Sequence, residues 1–381
     1  MKILLVTEYF PRSGDCEVRG GVEARAFYIA RELSKRHSVR VLCTREPGEP
    51  IEDNVAGISV HRCGPERPYM QGGGLPGRAA FLRAAIAASR GTDADVVDGH
   101  NFLAYVIASV ISRVHRIPRV ATYHDVWLGD WVKNLGLVSG VVGEVMERYV
   151  LAQHWDQIIA NSEATRQKLL AAHARTPNVE VVHNGIALEE FIRMRAPKFE
   201  RPTICYVGRL VRYKRVDDLL HALVAVRQSV PNVKLEIVGS GPEDEALRAL
   251  SSQLGLDANV EFHGFVPKHA DVVGIMSRSH VLCLPSAVEG FGMAIIEAMA
   301  CSTAVVASSL APIREITRGG QGALLFECGD VAQLAQNLTS LLTDAALRDR
   351  CEGQARALAA DYDWAPLAAK VEAVYESVLR H

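Results

Sequence analysis

A buried strand, a glycine turn and a helix follow one another within residues 280–301, and this succession constrains the fold more than any other stretch. The apolar run ends at Pro285, because proline cannot donate a hydrogen bond to a strand ladder. Gly290 and Gly292 then allow a tight turn, and a pattern rich in Ala, Met, Ile and Glu predicts a helix from Met293. Such a helix start offers unpaired backbone N–H groups, so the stretch predicts an anion site at the end of a parallel strand.

Two carboxylates flank this helix start. Glu289 precedes the turn, and Glu297 lies one helical turn inside the helix. Each can accept hydrogen bonds from hydroxyl groups of a ligand whose phosphate lies at the helix start. The spacing therefore favours a nucleotide sugar. On this stretch alone, a plain strand–turn–helix connection with a solvated Glu289 remains open.

Apolar strands alternate with helical patterns along the whole chain, which is typical of parallel βαβ winding. Strands are predicted in the first half at 2–9, 39–43, 58–61, 96–100, 119–123, 157–161 and 179–183. The pattern starts again in the second half, with strands at 203–207, 234–238, 260–263, 280–284, 303–307 and 323–326. Because 381 residues exceed one ordinary core, the sequence predicts an α/β protein of two doubly wound domains, 1–195 and 200–362.

Composition and spacing limit the partners. The formal net charge of −2 gives no reason to expect nucleic-acid binding, and the histidines lack metal-ligand spacing. Eight cysteines without a Cys-x-x-Cys pair predict free, mostly buried thiols in a reducing, cytoplasmic compartment. No stretch offers 18 apolar residues without a charge. We therefore expect no membrane span, no metal and no cofactor.

Charged and titratable side chains follow strands of both halves. Arg209 and Lys214 come after strand 203–207, where two cations suit a diphosphate and can stabilise a departing nucleoside diphosphate in place of a metal ion. His124 follows strand 119–123, at the edge where ligands of open α/β sheets bind. Two surface cations and a packing histidine are the structural alternatives.

Residues 126–152 are unusually apolar. They include Trp127 and Trp131 and carry few charges besides Lys133. We interpret most of this stretch as a core helix, while its tryptophan-bearing part could instead face an acyl chain or a membrane surface.

These features together resemble the GT-B retaining glycosyltransferases of the large Glu-x7-Glu family (glycosyltransferase family 4, glycosyl transferases group 1). The resemblance covers nearly the whole chain. It is carried by Gly20-Gly21, His124, His183-Asn184-Gly185, Gly208-Arg209 with Lys214, Glu289-x7-Glu297 and Ala311-Pro312-x-x-Glu315. The chain departs from the family where Ile186-Ala187 replaces an Asp that often follows Asn-Gly, and where Ala311-Pro312 replaces Gly-Gly.

The resemblance implies roles for individual residues. Arg209 and Lys214 would hold the donor diphosphate, Glu289 would bind hydroxyl groups of the transferred sugar, and Glu297 would bind the ribose. His124 would contact the sugar near the reaction centre, so that the implied catalytic residues are Arg209, Lys214, Glu289 and His124. Further donor contacts are implied for Gly20, Gly21, Asn184, Gly208, Phe265, Val266, Gly290, Phe291, Gly292, Met293 and Ala294.

The resemblance also implies an activity and a domain arrangement. A hexose-type sugar would pass from a nucleotide diphosphate sugar to a hydroxyl acceptor with retained configuration, by front-face attack without metal or cofactor. Domain 1–195 would bind the acceptor, domain 200–362 the donor, and a last helix near 364–381 would pack back on the first domain, with a cleft between the domains. An inverting GT-B enzyme, a nucleotide-sugar epimerase and a non-catalytic nucleotide-sugar-binding protein are the alternatives.

The acceptor stays open among a glycan, a lipid-linked molecule and a small molecule. The apolar residues within 126–140 favour a lipid-linked acceptor, with peripheral contact at the inner membrane face.

Overall fold

The computed structural model describes residues 1–13, 20–69, 74–172 and 178–380. The chain divides into two compact units, one formed by Met1–Asn184 with the chain from Trp364, the other by Gly185–Asp363. Residues 185–195, which the sequence analysis assigned to the first domain, thus belong to the second unit. Arg195 illustrates this attachment, because its guanidinium donates two hydrogen bonds to the carbonyl of Ala300.

The first unit is built on an eight-stranded sheet of order β3-β4-β2-β1-β5-β6-β7-β8, in which only β3 runs antiparallel. Its strands are β1 (Lys2–Thr7), β2 (Ser38–Thr44), β3 (Glu52–Val55), β4 (Ile58–Cys63), β5 (Val96–His100), β6 (Arg119–Tyr123), β7 (Gln157–Ala160) and β8 (Val179–Val181). Its helices are α1 (Gly21–Ser34), α2 (Leu75–Ala88), α3 (Phe102–His115), α4 (Trp131–Leu135), α5 (Leu137–Leu151) and α6 (Glu163–Ala171).

Strand β3 was missed by the sequence analysis, because Glu-Asp-Asn-Val lacks an apolar alternation. It is fixed instead by its turn. Ala56 and Gly57 connect β3 to β4 and both have positive φ angles, 52° and 85°. A two-residue turn of this kind matches the twist of an antiparallel hairpin.

The interpretation of most of 126–152 as a core helix is wrong, because the segment forms two helices and much of its apolar surface is exposed. The segment breaks at Gly136 into α4 and α5, and the glycine face of α5 packs on α4. A Cβ atom added to Gly140 would lie 2.4 Å from Cα of Val132, and one added to Gly143 would lie 2.2 Å from the Trp131 ring. The branched side chains therefore point away from this contact. An exposed apolar row results, called the α5 stripe below: Leu137, Val138, Val141, Val142, Val145 and Tyr149.

The second unit is built on a six-stranded parallel sheet of order β11-β10-β9-β12-β13-β14. Its strands are β9 (Thr203–Val207), β10 (Lys234–Val238), β11 (Val260–Gly264), β12 (Val281–Leu284), β13 (Ala304–Ser308) and β14 (Ala323–Phe326). Its helices are α7 (Leu188–Arg193), α8 (Val216–Ser229), α9 (Asp244–Gln253), α10 (His269–Arg278), α11 (Met293–Ala300), α12 (Ala311–Ile316), α13 (Val331–Thr343) and α14 (Ala345–Ala359).

The chain then returns to the first unit as α15 (Trp364–Leu379). Trp364 stacks on Tyr28 of α1 with ring centroids 5.5 Å apart, and Glu372 accepts a hydrogen bond from His37. Tyr375 extends from the same helix into the first core. Helix α15 is therefore an integral part of the first unit.

Two predictions from composition can be compared with the described residues. None of the described helices is long and apolar enough to cross a membrane. Six of the seven described cysteines are buried free thiols, whereas Cys328 is exposed. The eighth, Cys16, lies outside the described residues.

Candidate active site

The carboxyl edge of the second sheet brings the loops after β9 and β10 into direct contact. A Cβ atom on Gly239 would lie 1.8 Å from the carbonyl oxygen of Gly208, and one on Gly241 would lie 2.1 Å from that of Leu210. Backbone hydrogen bonds join the same loops, since Gly208 N–H donates to Val238. Only glycine permits this approach, which fixes the loop that carries Arg209.

Arg209 itself is exposed at this edge. Its backbone is held because the buried Tyr206 hydroxyl donates a 2.8 Å hydrogen bond to the Arg209 carbonyl. The side chain thus extends from a rigid support, which is the geometry that suits a phosphate-binding cation.

Lys214 and Glu289 form an ion pair in the second unit, between the short turn Arg212–Lys214 and the loop after β12. Ser286 donates a 2.9 Å hydrogen bond to the same Glu289 oxygen. The two loops are further joined by a hydrogen bond from Ala287 N–H to the Tyr213 carbonyl. The side chains of Lys214 and Glu289 are only 16% and 10% exposed, so their charges attract each other through a partly desolvated environment.

Helix α11 begins directly after this loop. Gly292 is its N-cap with φ of 99°, so the first turn of the helix follows a sharp reversal of the chain, and Ile295 N–H donates to the Gly292 carbonyl. The Phe291 ring is buried beside Tyr362, with ring centroids 6.1 Å apart. The predicted contacts Gly290, Met293 and Ala294 belong to the same turn and helix start.

Glu297 projects from α11 and is largely buried. Burial raises the pKa of Glu297 above its usual range, and His269, 3.9 Å away, opposes that shift. Phe265 is exposed and Val266 is half-buried beyond β11. The second unit therefore carries all predicted donor contacts from Gly208 to Glu297 on its strand-end loops and α11.

Three supporting residues escaped the sequence analysis. Ser286 binds Glu289, Tyr206 holds the Arg209 loop, and His269 lies beside Glu297. Only Ser286 carried a usable signal, because it precedes Glu289 by three residues and a short polar loop favours such local hydrogen bonds.

The carboxyl edge of the first sheet holds the other predicted residues. Gly20 is the N-cap of α1 with extended backbone and Gly21 opens that helix, whereas the preceding residues 14–19 lie outside the described chain. Asn184 is buried, and its Oδ1 accepts a hydrogen bond from Arg25. His124 follows β6 next to Asp125. Burial, Arg25 and His100 lower the pKa of His124 well below its usual range, so its imidazole is neutral.

One group of side chains has the composition of a metal site. Glu236, Glu261 and His263 offer ligand atoms within 4.8 Å of one another. They also satisfy one another, because His263 Nε2 lies 2.6 Å from Glu236 and Lys234 donates to Glu261 at 2.8 Å. An ion there would compete with these contacts, and the group lies on β10 and β11 rather than in the loops around Glu289.

Comparisons with known proteins agree with this geometry. Residues 19–190 match the family described as Glycosyltransferase Family 4, and residues 189–358 match Glycosyl transferases group 1. The phosphatidyl-myo-inositol mannosyltransferase of Mycobacterium leprae is 30% identical over 379 residues, covering 95% of this chain and 94% of that protein. The glycogen synthase of Mycobacterium tuberculosis is 28% identical over 311 residues, covering 79% of this chain and 74% of that protein.

Solved structures with much lower identity share the fold. Sucrose-phosphate synthase from Thermosynechococcus elongatus has a TM-score of 0.84 at 19% identity, with 100% of each chain covered. Anabaena HepE in complex with UDP-glucose has a TM-score of 0.77 at 21% identity, covering 99% of this chain and 100% of that one.

Two Rossmann-like units with parallel sheets and these structural neighbours define the GT-B class of glycosyltransferases. The chain belongs to the glycosyl transferases group 1, family 4, and is a glycosyltransferase that uses a sugar nucleotide.

Proposed function

We propose that this glycosyltransferase moves a hexose-type sugar from a nucleotide diphosphate sugar to a hydroxyl acceptor with retained anomeric configuration and without a bound metal. The observation that carries the proposal is the Lys214–Glu289–Ser286 cluster between the Arg209 loop and the α11 start. In this scheme Arg209, Lys214 and the helix start stabilise the negative charge that develops on the departing diphosphate. Glu289 and Glu297 accept hydrogen bonds from the hydroxyl groups of the sugar and the ribose.

The cation assignment is tested with Arg209→Ala. We expect kcat/KM to fall by about 100-fold or more, because removing one donor from developing transition-state charge typically costs that much. Arg212→Ala is the matched control, since Arg212 is an exposed arginine three residues further along the chain. Equal kcat/KM values for the two variants would show that Arg209 does not belong to the donor site.

The reaction type is tested separately by NMR of the product. The anomeric proton reports whether configuration is retained, and turnover in EDTA reports whether an ion is needed. An inverted product would indicate the inverting alternative, and loss of turnover in EDTA would contradict the role given to the two cations.

We further propose a lipid-linked acceptor, with the α5 stripe lying against the cytoplasmic face of a membrane. Five of its six side chains are aliphatic, the sixth being Tyr149, and Leu137 and Val138 are each 72% exposed. Lys133 precedes it on α4 and Arg148 lies at its far end, both exposed. A row of this composition buries its apolar side chains in the interfacial region while its cations meet anionic headgroups. The named substrate of the phosphatidyl-myo-inositol mannosyltransferases supports this acceptor class.

Sedimentation with anionic liposomes tests the membrane proposal. Val138→Glu combined with Val145→Glu should abolish cosedimentation, because a charged side chain resists insertion into the interface. Ile51→Glu is the control, since Ile51 is 52% exposed but lies beside β3 rather than on α5. Unchanged sedimentation of the double variant, or transfer only to soluble sugars, would overturn this proposal.

A further inference from the structure

Buried polar atoms without hydrogen-bond partners gather at the carboxyl ends of three neighbouring strands of the first unit. Among the described residues, no partner lies within hydrogen-bonding distance of His100 Nδ1, Asn101 Oδ1, His124 Nε2 or Asn161 Oδ1. These residues follow or end β5, β6 and β7, which are adjacent in the sheet, and the rings of His100 and His124 lie 6.2 Å apart. Leaving buried polar atoms unpaired costs stability, so their concentration at one edge indicates a ligand.

The orientation of Asn161 is fixed by its neighbours. Its Nδ2 donates a 2.8 Å hydrogen bond to the His124 carbonyl, and its backbone N–H donates to Tyr123. A carbonyl oxygen can only accept, so the amide nitrogen must face it and Oδ1 must be the free atom. Asn161 therefore presents an acceptor.

Asp98 fixes the tautomer of His100. Its fully buried carboxylate lies 3.2 Å from His100 Nε2 and also accepts hydrogen bonds from the Thr122 and Tyr375 hydroxyl groups. Since a carboxylate only accepts, Nε2 carries a proton, and in the neutral ring Nδ1 is then an acceptor. The Tyr375 bond is 2.6 Å long and spans 277 residues of sequence, from α15 to β5.

Asn101 adds a strained backbone to the same place. Its φ of 82° is unusual for a residue other than glycine, and it caps α3 without a side-chain capping bond. Such strain persists where the surrounding structure enforces it and concentrates at functional sites. The enforced backbone conformation of Asn101 fixes where its side chain starts, directly after His100.

We propose that Asp98 and Tyr375 are positioning residues that fix His100 as a hydrogen-bond acceptor for a hydroxyl group of the acceptor substrate, with Asn161 and Asn101 accepting from further hydroxyl groups. This inference rests on the proposed function. It assigns the part of the acceptor that binds here to an uncharged polyol, such as a sugar or cyclitol ring. The acceptor atoms of His100, Asn101 and Asn161 suit the hydroxyl groups of such a ring, whereas a cation would be repelled by the buried Arg25 guanidinium, whose charge acts on His124.

The tautomer is measured first, because it needs no substrate. Long-range proton–nitrogen NMR of the imidazole rings distinguishes the two tautomers, and the His100 signals are assigned by their loss in His100→Asn. We expect protonated Nε2 in the wild type and a shift toward protonated Nδ1 in Asp98→Asn, whose amide nitrogen can donate to Nε2. A wild-type ring protonated at Nδ1 would overturn the proposal.

Kinetics then test the role of Tyr375. Tyr375→Phe should raise KM for a polyol acceptor by about tenfold, as expected when a charge-assisted hydrogen bond that orients a binding group is lost. Its KM for the nucleotide sugar should change no more than in the control Tyr105→Phe. Tyr105 is an equally buried tyrosine of the same unit, and its hydroxyl donates to the Thr122 carbonyl rather than to Asp98.

The outcomes separate the two proposals. Acceptors for the assay are methyl hexosides, myo-inositol, inositol phosphate and phosphatidylinositol in liposomes, with UDP-glucose and GDP-mannose as donors. If the wild type neither hydrolyses donor nor transfers sugar, the proposed function fails while the NMR result still decides the tautomer. If the wild type transfers sugar and Tyr375→Phe matches Tyr105→Phe in its KM for the acceptor, the positioning role is wrong.

Discussion

The carboxyl ends of β5, β6 and β7 in the first sheet contrast with the loops around Glu289 at the carboxyl edge of the second sheet. The second sheet ends in charged groups that are paired with each other or exposed, as Lys214 with Glu289 and as Arg209. The ends of β5, β6 and β7 carry polar atoms that are deeply buried and without partners among the described residues, such as His100 Nδ1 and Asn161 Oδ1. Charged groups suit a diphosphate, whereas desolvated acceptors suit hydroxyl groups. The difference supports the proposal that each unit binds one of the two substrates.

The largest effect is expected from a variant that removes the Lys214–Glu289 ion pair at the carboxyl edge of the second sheet. Glu289→Gln keeps the shape and the oxygen that accepts from Ser286, but it removes the charge that Lys214 pairs with. We expect kcat to fall by about 100-fold, since the proposed function places both Lys214 and Glu289 near the reacting centre. Steady-state kinetics with a fixed donor check this.

Glu327→Gln is the control for that variant, because Glu327 is an exposed carboxylate in the same unit beyond β14. A kcat for Glu289→Gln that stays within twofold of Glu327→Gln would place the essential charges elsewhere.

The next prediction tests the packing of α5 on α4 in the first unit. Gly143→Ala places a Cβ atom where the Trp131 ring lies, 2.2 Å away, so the buried tryptophan must move. We expect the free energy of unfolding to fall by about 2 kcal/mol, as for other overpacked cores. Thermal melting followed by tryptophan fluorescence measures it.

Gly353→Ala supplies the comparison for that melt. Gly353 lies inside α14 with nothing within 4 Å of its added Cβ atom. The free energy of unfolding of this variant should rise by up to about 1 kcal/mol, because alanine favours a helix more than glycine does. Equal melting temperatures for the two variants would contradict the close contact between α4 and α5.

The last expected effect concerns pH and a desolvated carboxylate in the first unit. Burial raises the pKa of Glu147 to about 7, although Trp131 Nε1 and Trp127 N–H donate hydrogen bonds to it. Below the ordinary pKa of 4.5 the folded and unfolded states are both protonated. As pH rises from there to about 7, the unfolded state loses its proton first, so stability falls by up to about 3 kcal/mol.

Glu147→Gln should flatten this decline and melt higher than the wild type at pH 8, since one amide oxygen can replace Oε2. Glu144→Gln is the control with the opposite sign. The Gly129 N–H lowers the pKa of Glu144, so removing that charge should cost stability at neutral pH. Melting curves of both variants over the same pH range check this. A Glu147→Gln variant that melts no higher than the wild type at pH 8 would contradict the desolvation of Glu147.

Much of the architecture could be predicted because strand and helix periodicity is a local property. Strands β5, β6, β9, β10 and β14 begin and end where the sequence predicted. The antiparallel β3 was missed because its formation depends on a turn and a neighbouring strand, not on its own apolar pattern. Local sequence patterns therefore predict the buried parallel strands well and the antiparallel edge strand of a hairpin poorly.

The candidate site divides in the same way. The proposed donor residues carry a sequence signal, because Gly208-Arg209, Lys214 and Glu289-x7-Glu297 lie in motifs whose spacing suits the chemistry. Asp98 and Tyr375 could not, because they are 277 residues apart and neither belongs to a motif. Their importance follows from a hydrogen bond that exists only when α15 packs in the first unit.

The sequence by itself determined two βαβ-wound halves and the charged edge of the second, because periodicity and motif spacing act over short stretches of chain. The tertiary structure alone decided which face of α5 is packed, since glycines can form the inner face and leave valines outside. It also decided that His100 is an acceptor, because the tautomer depends on which distant groups bind the other nitrogen. Burial and hydrogen-bond partnership are properties of the folded chain, and no local pattern specifies them.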